Sequence, residues 1–419
     1  MGARTYHDPL HGAIRLDPAL PAEALAIDLI DSAPFQRLRR IRQLGPAFLT
    51  FHGAESSRFT HSLGVLHMAR LALQHLEQSH PELAEQRGLL YAAALLHDVG
   101  HAPLSHTGEE MFGLRHEGWS GRLIREHPAL RERLEAHAAG TADAVADLLE
   151  HGRCRTPAIK ALVSSQLDCD RLDYLLRDSY STGTSYGQLD LERILAALTL
   201  APDGTLAVHP RGLMAVEHYL VVRNLMYRSV YNHRLNVVCN WLLAQAIATA
   251  RALGPGPVKA DAVMGRWLWQ SDSLDLESFL ANDDLRTGYH LLRWMEDGPP
   301  ELAELCERLL NRRLLKATEV GALASGERLE LLALAQTLSA KAGLAAERSC
   351  ALVTRQSRGY HPYKGGLRLW NGERLQALEQ RSPLVQSLTR RSELVWLIHP
   401  AAVSAGLRLR LAELLPPGA

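Results

Sequence analysis

His97 and Asp98 sit side by side at the end of the apolar run GLLYAAALLHDV, and an ionisable pair there is costly to bury unless something compensates it. A metal ion is one such partner. The plain alternative is a solvated helix end, and the neighbouring residues weigh against it. His101 follows His97 by four residues, His106 lies just beyond Pro103, and RFTHSLGV sets His61 among small and apolar residues. A further candidate, Asp170, comes from LDCDRLDYLLRD, where a helical reading lines Asp170, Tyr174 and Asp178 along one face and Leu172, Leu175 and Leu176 along the other. Two imidazoles and two carboxylates form a mixed nitrogen and oxygen donor set, suited to Fe, Mn, Zn or Ni in preference to Ca.

The elements that must hold these residues read as mainly helical, since Ala-, Leu- and Arg-rich stretches carry apolar residues at three- and four-residue spacing between Gly and Pro breaks. The spacing predicts a buried helix from Gln86 to Val99, ended by Gly100 and Pro103, and a long helix from Leu213 to Ala250. The GPGP at Gly254 to Pro257 is the clearest break. We therefore expect a core over residues 1–253, a helical extension over 254–345 and a small α+β region over 346–419. The short aromatic and β-branched runs RGYHPYKGGLRLW and SELVWLIHP predict a small β element near the C-terminus, and Leu206 to His209 predicts one arm of a hairpin.

Composition narrows the classes. Lys+Arg and Asp+Glu balance at 46 each in 419 residues, which gives no global pull toward a polyanion and weighs against a nuclease. The five cysteines are scattered and never form a CxxC pair, so neither a disulfide framework nor a cysteine zinc site is expected. No apolar stretch is long enough to span a bilayer and the first residues lack a secretory signal's apolar core, so the expected location is cytoplasmic.

The ordered motifs RFTHSLGV, LLHDVGH and LDCDRLDYLLRD, with HDPLHGAIRLDP, LIDSAPFQRLRRIRQLG and HAPLSHTGEE around them, resemble the HD superfamily, in particular its deoxynucleoside triphosphate triphosphohydrolase branch. The resemblance runs from about Tyr6 to about Arg234 and thins beyond. It implies an HD-domain helical core in which His61, His97, Asp98 and Asp170 hold a divalent transition metal, with Mg on the substrate phosphates. Water then attacks the α-phosphorus of a dNTP, releasing deoxynucleoside and triphosphate. His106 with Glu109, or His116 with Glu117, would protonate the departing 5′ oxygen, and His101 would bind phosphate or a second metal. The resemblance further implies Gln43 and Tyr174 at the deoxyribose, Asp178 at its 3′ hydroxyl, Arg58, Arg171 and Arg223 at the phosphates, and Tyr227 and Tyr231 flanking sugar or base. Asp31, Gln36 and Arg39 match positions that would bind an activating nucleotide in a homo-oligomer (dimer, tetramer or hexamer), although His7 departs from the Asn usual beside DPxHG. The alternatives are another HD activity (nucleoside monophosphate phosphatase, phosphodiesterase, single-strand nuclease) and a nucleotide sensor without turnover.

Overall fold

The computed structural model describes residues 2–362 and 366–414; Tyr363 to Gly365, inside the run RGYHPYKGGLRLW, lie outside the described residues. The chain is mainly α, as expected, with three small sheets among the described residues. Helices Arg58–Glu77, Arg87–Leu96 and Cys169–Thr182 pack together and carry the four candidate ligands or the turn that bears them. Helix Arg58–Glu77 begins where the Ser57 hydroxyl accepts the Thr60 amide, one of the four N–H groups a helix start leaves unpaired. Its Gly64 lets helix Cys169–Thr182 come close, because a Cβ there would lie 1.9 Å from Asp173 Oδ1.

Two predicted helices end differently from the expectation. The buried helix stops at Leu96, three residues early, and His97 to Gly100 form a turn. The reason is contact: helix His116–Glu126 leans on this turn so closely that a Cβ on Gly100 would sit 2.2 Å from the Ser120 amide nitrogen. The long helix expected over Leu213 to Ala250 is two helices, Leu213–Met226 and Arg234–Leu253, joined through a π-helical turn at Tyr227–Tyr231. An inserted residue of this kind rotates the turn beyond it, and here the Tyr231 hydroxyl reaches Asp178 on helix Cys169–Thr182.

Strands β1 (Arg4–Asp8) and β2 (Gly12–Leu16) form an N-terminal hairpin that the periodicity did not announce. β3 (Leu198–Leu200) and β4 (Leu206–Val208) form the predicted hairpin. Beyond the Gly254–Pro257 turn, β5 (Lys316–Glu319), β6 (Ala351–Arg358) and β9 (Arg391–His399) make an antiparallel sheet in the order β5-β9-β6. β7 (Arg368–Trp370) and β8 (Leu375–Ala377) extend the β3-β4 hairpin instead, with Val208 paired to Leu369. The main apolar cluster accordingly runs from Ile14 to Ile398, crossing the Gly254 break, while Val320, Leu331, Ala335, Val395 and Leu397 belong to a smaller one under the C-terminal sheet.

Candidate metal centre

His61 is fully buried in mid-helix and His97 caps the helix that ends at Leu96; their Nε2 atoms face each other at 3.3 Å. Asp98 and Asp170 close the group. His61 Nε2 lies 3.5 Å from Asp98 Oδ2 and 3.1 Å from Asp170 Oδ1, and His97 Nε2 lies 3.3 Å from Asp98 Oδ1 and 3.8 Å from Asp170 Oδ1. The opposite face of each imidazole is already engaged: His61 Nδ1 with Asp173 at 2.8 Å, His97 Nδ1 with the Ala94 carbonyl at 2.9 Å. A ring N–H held from outside fixes the tautomer and presents the Nε2 lone pair inward, as metal-bound histidines require. Two imidazole lone pairs and two carboxylates converging at these spacings fit a divalent cation, and His61, His97 and Asp170 form one of the donor groups able to hold one.

The electrostatics agree. Burial lowers the pKa of His61, yet the carboxylates of Asp170, Asp173 and Asp98 outweigh it and raise the value to about 10. That pull on a proton is the pull a cation would feel. Burial opposes charge on Asp98 as well, but Arg58, then His97 and His101, hold it well below the ordinary carboxylate range. Behind His61, Asp173 is wholly buried and ties together His11 Nε2 at 2.6 Å and the Arg177 guanidinium at 2.8 and 2.9 Å, while Arg177 also reaches Asp8 at 2.8 Å. Asp8, His11, Asp173 and Arg177 were not among the candidates. Their signal was present in HDPLHG and in the i,i+4 pair Asp173 and Arg177 of LDCDRLDYLLRD.

A second cluster adjoins the first. The Glu109 Oε1 atom lies 2.6 Å from His116 Nδ1, 3.0 Å from His101 Nδ1 and 3.4 Å from His106 Nδ1, and His101 Nε2 lies 3.1 Å from Asp98 Oδ1. Burial opposes the charged form of both Glu109 and His116; contacts with His101, His106 and His116 overcome it and hold Glu109 far below the carboxylate range, while the Glu109 contact raises the His116 pKa. His101 is pushed down to about 3 by burial, then by Arg58 and His116. Glu117, expected beside His116, is half exposed at 3.7 Å, so Glu109 serves both histidines. The chain between His101 and His106 is held in an unfavourable backbone: Leu104 and Ser105 have φ of 61° and 58°. Asp284, at the start of helix Asp284–Asp297, accepts the Leu104 amide at 2.7 Å and the Arg42 amide at 2.9 Å, and Ser105 Oγ is bonded to Arg42 O and Arg58 Nε.

Several of the expected substrate contacts lie near one another. Tyr231 donates to Asp178 Oδ2 at 2.8 Å, Tyr174 and Tyr227 stand 6.1 and 5.1 Å from the Tyr231 ring, and the Arg223 guanidinium lies 5.6 Å from the Tyr227 ring. Burial pushes Asp178 up to about 7. Arg171 is tied to Asp168, and Arg223 Nη1 donates to the Gly359 carbonyl at 3.3 Å. Gln43 Oε1, Asp178 Oδ1, Arg171 Nε and Arg223 Nε are buried with no hydrogen-bond partner among the described residues. Arg58 stands apart from its expected role, since its guanidinium is 2.6 Å from Asp98. Asp31, Gln36 and Arg39 lie on another stretch, where Arg39 donates to Gln36 at 2.8 Å and Asp31 pairs with Arg4.

A helical core bearing this quartet defines an HD protein, and the chain belongs to the HD-domain phosphohydrolase family: the HD domain matches residues 58–178 and the HD associated region residues 189–398. Among its relatives, the uncharacterized protein YwfO of Bacillus subtilis is 36% identical over 318 residues, covering 75% of this chain and 72% of that protein. The deoxynucleoside triphosphate triphosphohydrolase SAMHD1 of Gallus gallus is 28% identical over 286 residues, covering 59% of this chain and 45% of that one. The chain thus spans about half the length of several curated relatives it matches. A crystal structure of a phosphohydrolase from Bacteroides thetaiotaomicron superposes with a TM-score of 0.82 at 25% identity, covering 95% of this chain and 99% of that one. No helix among the described residues is long and apolar enough to cross a membrane.

Proposed function

We propose that the chain hydrolyses deoxynucleoside triphosphates to deoxynucleoside and inorganic triphosphate. The observation that carries this reading is the set of buried polar atoms without partners beside the quartet: Gln43 Oε1, Asp178 Oδ1, Arg171 Nε and Arg223 Nε. Unsatisfied buried groups cost about 1–3 kcal/mol each and persist where a ligand completes them. Two guanidiniums for an anionic chain and a carboxyl for a hydroxyl are the complement of a sugar triphosphate. The name of the SAMHD1 relatives points the same way.

His61, His97, Asp98 and Asp170 would hold Mn, Fe, Zn or Ni; when bound, such an ion polarises a phosphoryl oxygen and lowers the pKa of a bound water. Arg171 and Arg223 take the phosphates, with Mg shared among them, and Gln43, Tyr174 and Asp178 orient the deoxyribose. Tyr227 and Tyr231 wall the sugar, where close packing against its 2′ carbon would exclude a ribose hydroxyl. Water oxygen adds to the α-phosphorus as the bond to the 5′ oxygen breaks. His116, held at Nδ1 by Glu109, hands a proton to that departing oxygen, with the exposed His106 as the other candidate donor. Asp31, Gln36 and Arg39 would bind an activating nucleotide in a homo-oligomer, and Arg37 between them donates to the His101 carbonyl at 2.9 Å, joining that stretch to the catalytic turn.

The test is to load the protein with metal, incubate it with each dNTP, NTP, NMP and labelled single strand, and identify the phosphate product. Triphosphate from dNTPs is expected. Orthophosphate, or a cut strand, would replace this reading with another HD activity.

A further inference from the structure

Helix Arg58–Glu77 carries polar residues well beyond His61: His67, Arg70, Gln74 and Glu77 recur at the three- and four-residue spacing that sets them on one face. They line a cavity of about 590 Å³, within the range of small-molecule sites, whose other walls include the starts of helices Pro21–Ile30 and Arg87–Leu96. Two ion pairs face it. Arg70 Nη2 donates to Glu23 at 2.7 Å, and Arg87 Nε donates to Glu77 at 2.8 Å. The acids lie deep and the guanidiniums outward, since the Glu23 and Glu77 side chains are 9% and 13% exposed against 24% and 46% for Arg70 and Arg87. Neither guanidinium is saturated: among the described residues Arg70 uses one nitrogen and Arg87 two.

Two further groups lack partners. Tyr91 is buried at the cavity wall, and its hydroxyl makes no hydrogen bond among the described residues, although Arg70, Glu23, Arg87 and Glu77 are the charges that act on it. His67 Nδ1 is buried and likewise without a hydrogen-bond partner among the described residues. Burial, then His11 and Arg70, push His67 down to about 4, so its ring is neutral near pH 7 and Nδ1 gives or takes one bond according to tautomer. Buried groups left this way are costly unless something completes them.

We propose that this cavity binds a small zwitterion of the free α-amino acid class and that its occupation is felt at the metal centre. The ammonium lies toward Glu23 and Glu77, and the carboxylate toward Arg70, Arg87 and the Tyr91 hydroxyl. A ligand of one sign would meet repulsion from half of this wall, and a neutral one would leave the spare guanidinium donors without a charged acceptor; a zwitterion answers both. The route to the metal is short. The His67 ring stands 5.2 Å from the His11 ring, His11 Nε2 lies 2.6 Å from Asp173 Oδ1, and Asp173 Oδ2 holds His61 Nδ1 at 2.8 Å.

The test is calorimetry on the full metal-free chain with each of the twenty common amino acids alone. At least one should bind, one per chain, with a Kd of about 1 mM or tighter. Its N-acetyl and amide derivatives, each lacking one charge, should bind about tenfold more weakly or worse. If none of the twenty binds, or if both derivatives bind as well as the parent compound, the zwitterion site is refuted. Tyr91→Phe and Arg87→Gln, checked for folding by melting, should each weaken binding by about tenfold; affinity unmoved by both would place the amino acid elsewhere. For the coupling, the amino-acid Kd is compared between metal-free and Mn²⁺-loaded chain. A difference of about fivefold or more is expected, vanishing in His67→Ala. Equal values, or a difference that persists without His67, would overturn the route. The metal-free titration needs neither the quartet nor dNTP turnover, so it is decided apart from the triphosphohydrolase reading.

Discussion

Asp173→Asn tests whether the quartet is a metal centre held from behind. Asp173 is wholly buried and its two oxygens serve His61 at 2.8 Å, His11 at 2.6 Å and Arg177 at 2.8 and 2.9 Å. The amide keeps the shape, but each oxygen serves one histidine and one guanidinium nitrogen, so the N–H2 group that replaces the oxygen at His61 faces both the imidazole and Arg177 Nε. His61 then loses the partner that fixes its tautomer, and such changes typically weaken metal binding by about 10–100-fold, or roughly 1.4–2.7 kcal/mol. The fold should suffer less than the ~3–5 kcal/mol of a stranded buried charge, because Arg177 retains Asp8 at 2.8 Å. Metal Kd would be measured by chelator competition, and the melting of metal-free protein would confirm folding. A folded variant that binds metal within about twofold of the parent would refute the assignment of Asp173 as the group that orients His61.

Three further outcomes rest on the same geometry. In the metal-free protein His61 has a pKa raised to about 10, so its protonated form stabilises the fold fully below the ordinary value of 6.5, and that contribution is lost as pH rises through 10. Metal must displace this proton, so Kd should tighten by about tenfold per pH unit between roughly 6.5 and 10; a flat profile by calorimetry would contradict the linkage. Gly64→Ala places a methyl 1.9 Å from Asp173 Oδ1 and should cost about 1–3 kcal/mol by denaturant melting, with metal affinity falling in parallel. Asp284→Ala removes the acceptor of the Leu104 and Arg42 amides and should destabilise by about 1.5–3 kcal/mol and lower kcat more than it raises KM, since it frees the strained turn that precedes His106; unchanged kcat would separate that turn from the chemistry.

The quartet was legible because its members sit in short motifs whose order survives any packing, although His97 and Asp98 stand on a turn just past the helix the spacing predicts. The supporting network was less so. Asp173 and Arg177 differ from surface residues only in what faces them, and that is the hairpin β1-β2, whose Asp8 and His11 arrive from the far end of the sequence. Asp284 is further still, 180 residues from the Leu104 amide that it accepts. The π-turn escaped notice because residues 213–250 keep an unbroken helical periodicity, and the inserted residue shows only once Tyr231 has found Asp178. The resemblance set Arg58 at the phosphates, and it could not show that Asp98 lies 2.6 Å from its guanidinium.

The reach of the associated region into the pocket carries a mechanical consequence. Arg223 is anchored to the Gly359 carbonyl, and Gln166 grips the His361 backbone at both its N–H and its carbonyl, at 2.8 and 2.5 Å. Further along the chain comes β7, which is stitched to the β3-β4 hairpin. The Arg223 side of the centre is therefore tied to the segment that leads from β6 of the C-terminal sheet to β7. Any partner that shifts that segment must drag the Arg223 guanidinium with it, and an isolated 58–178 unit would keep all four ligands together with Arg171, Tyr174 and Asp178 but lose Gln43 and Arg223.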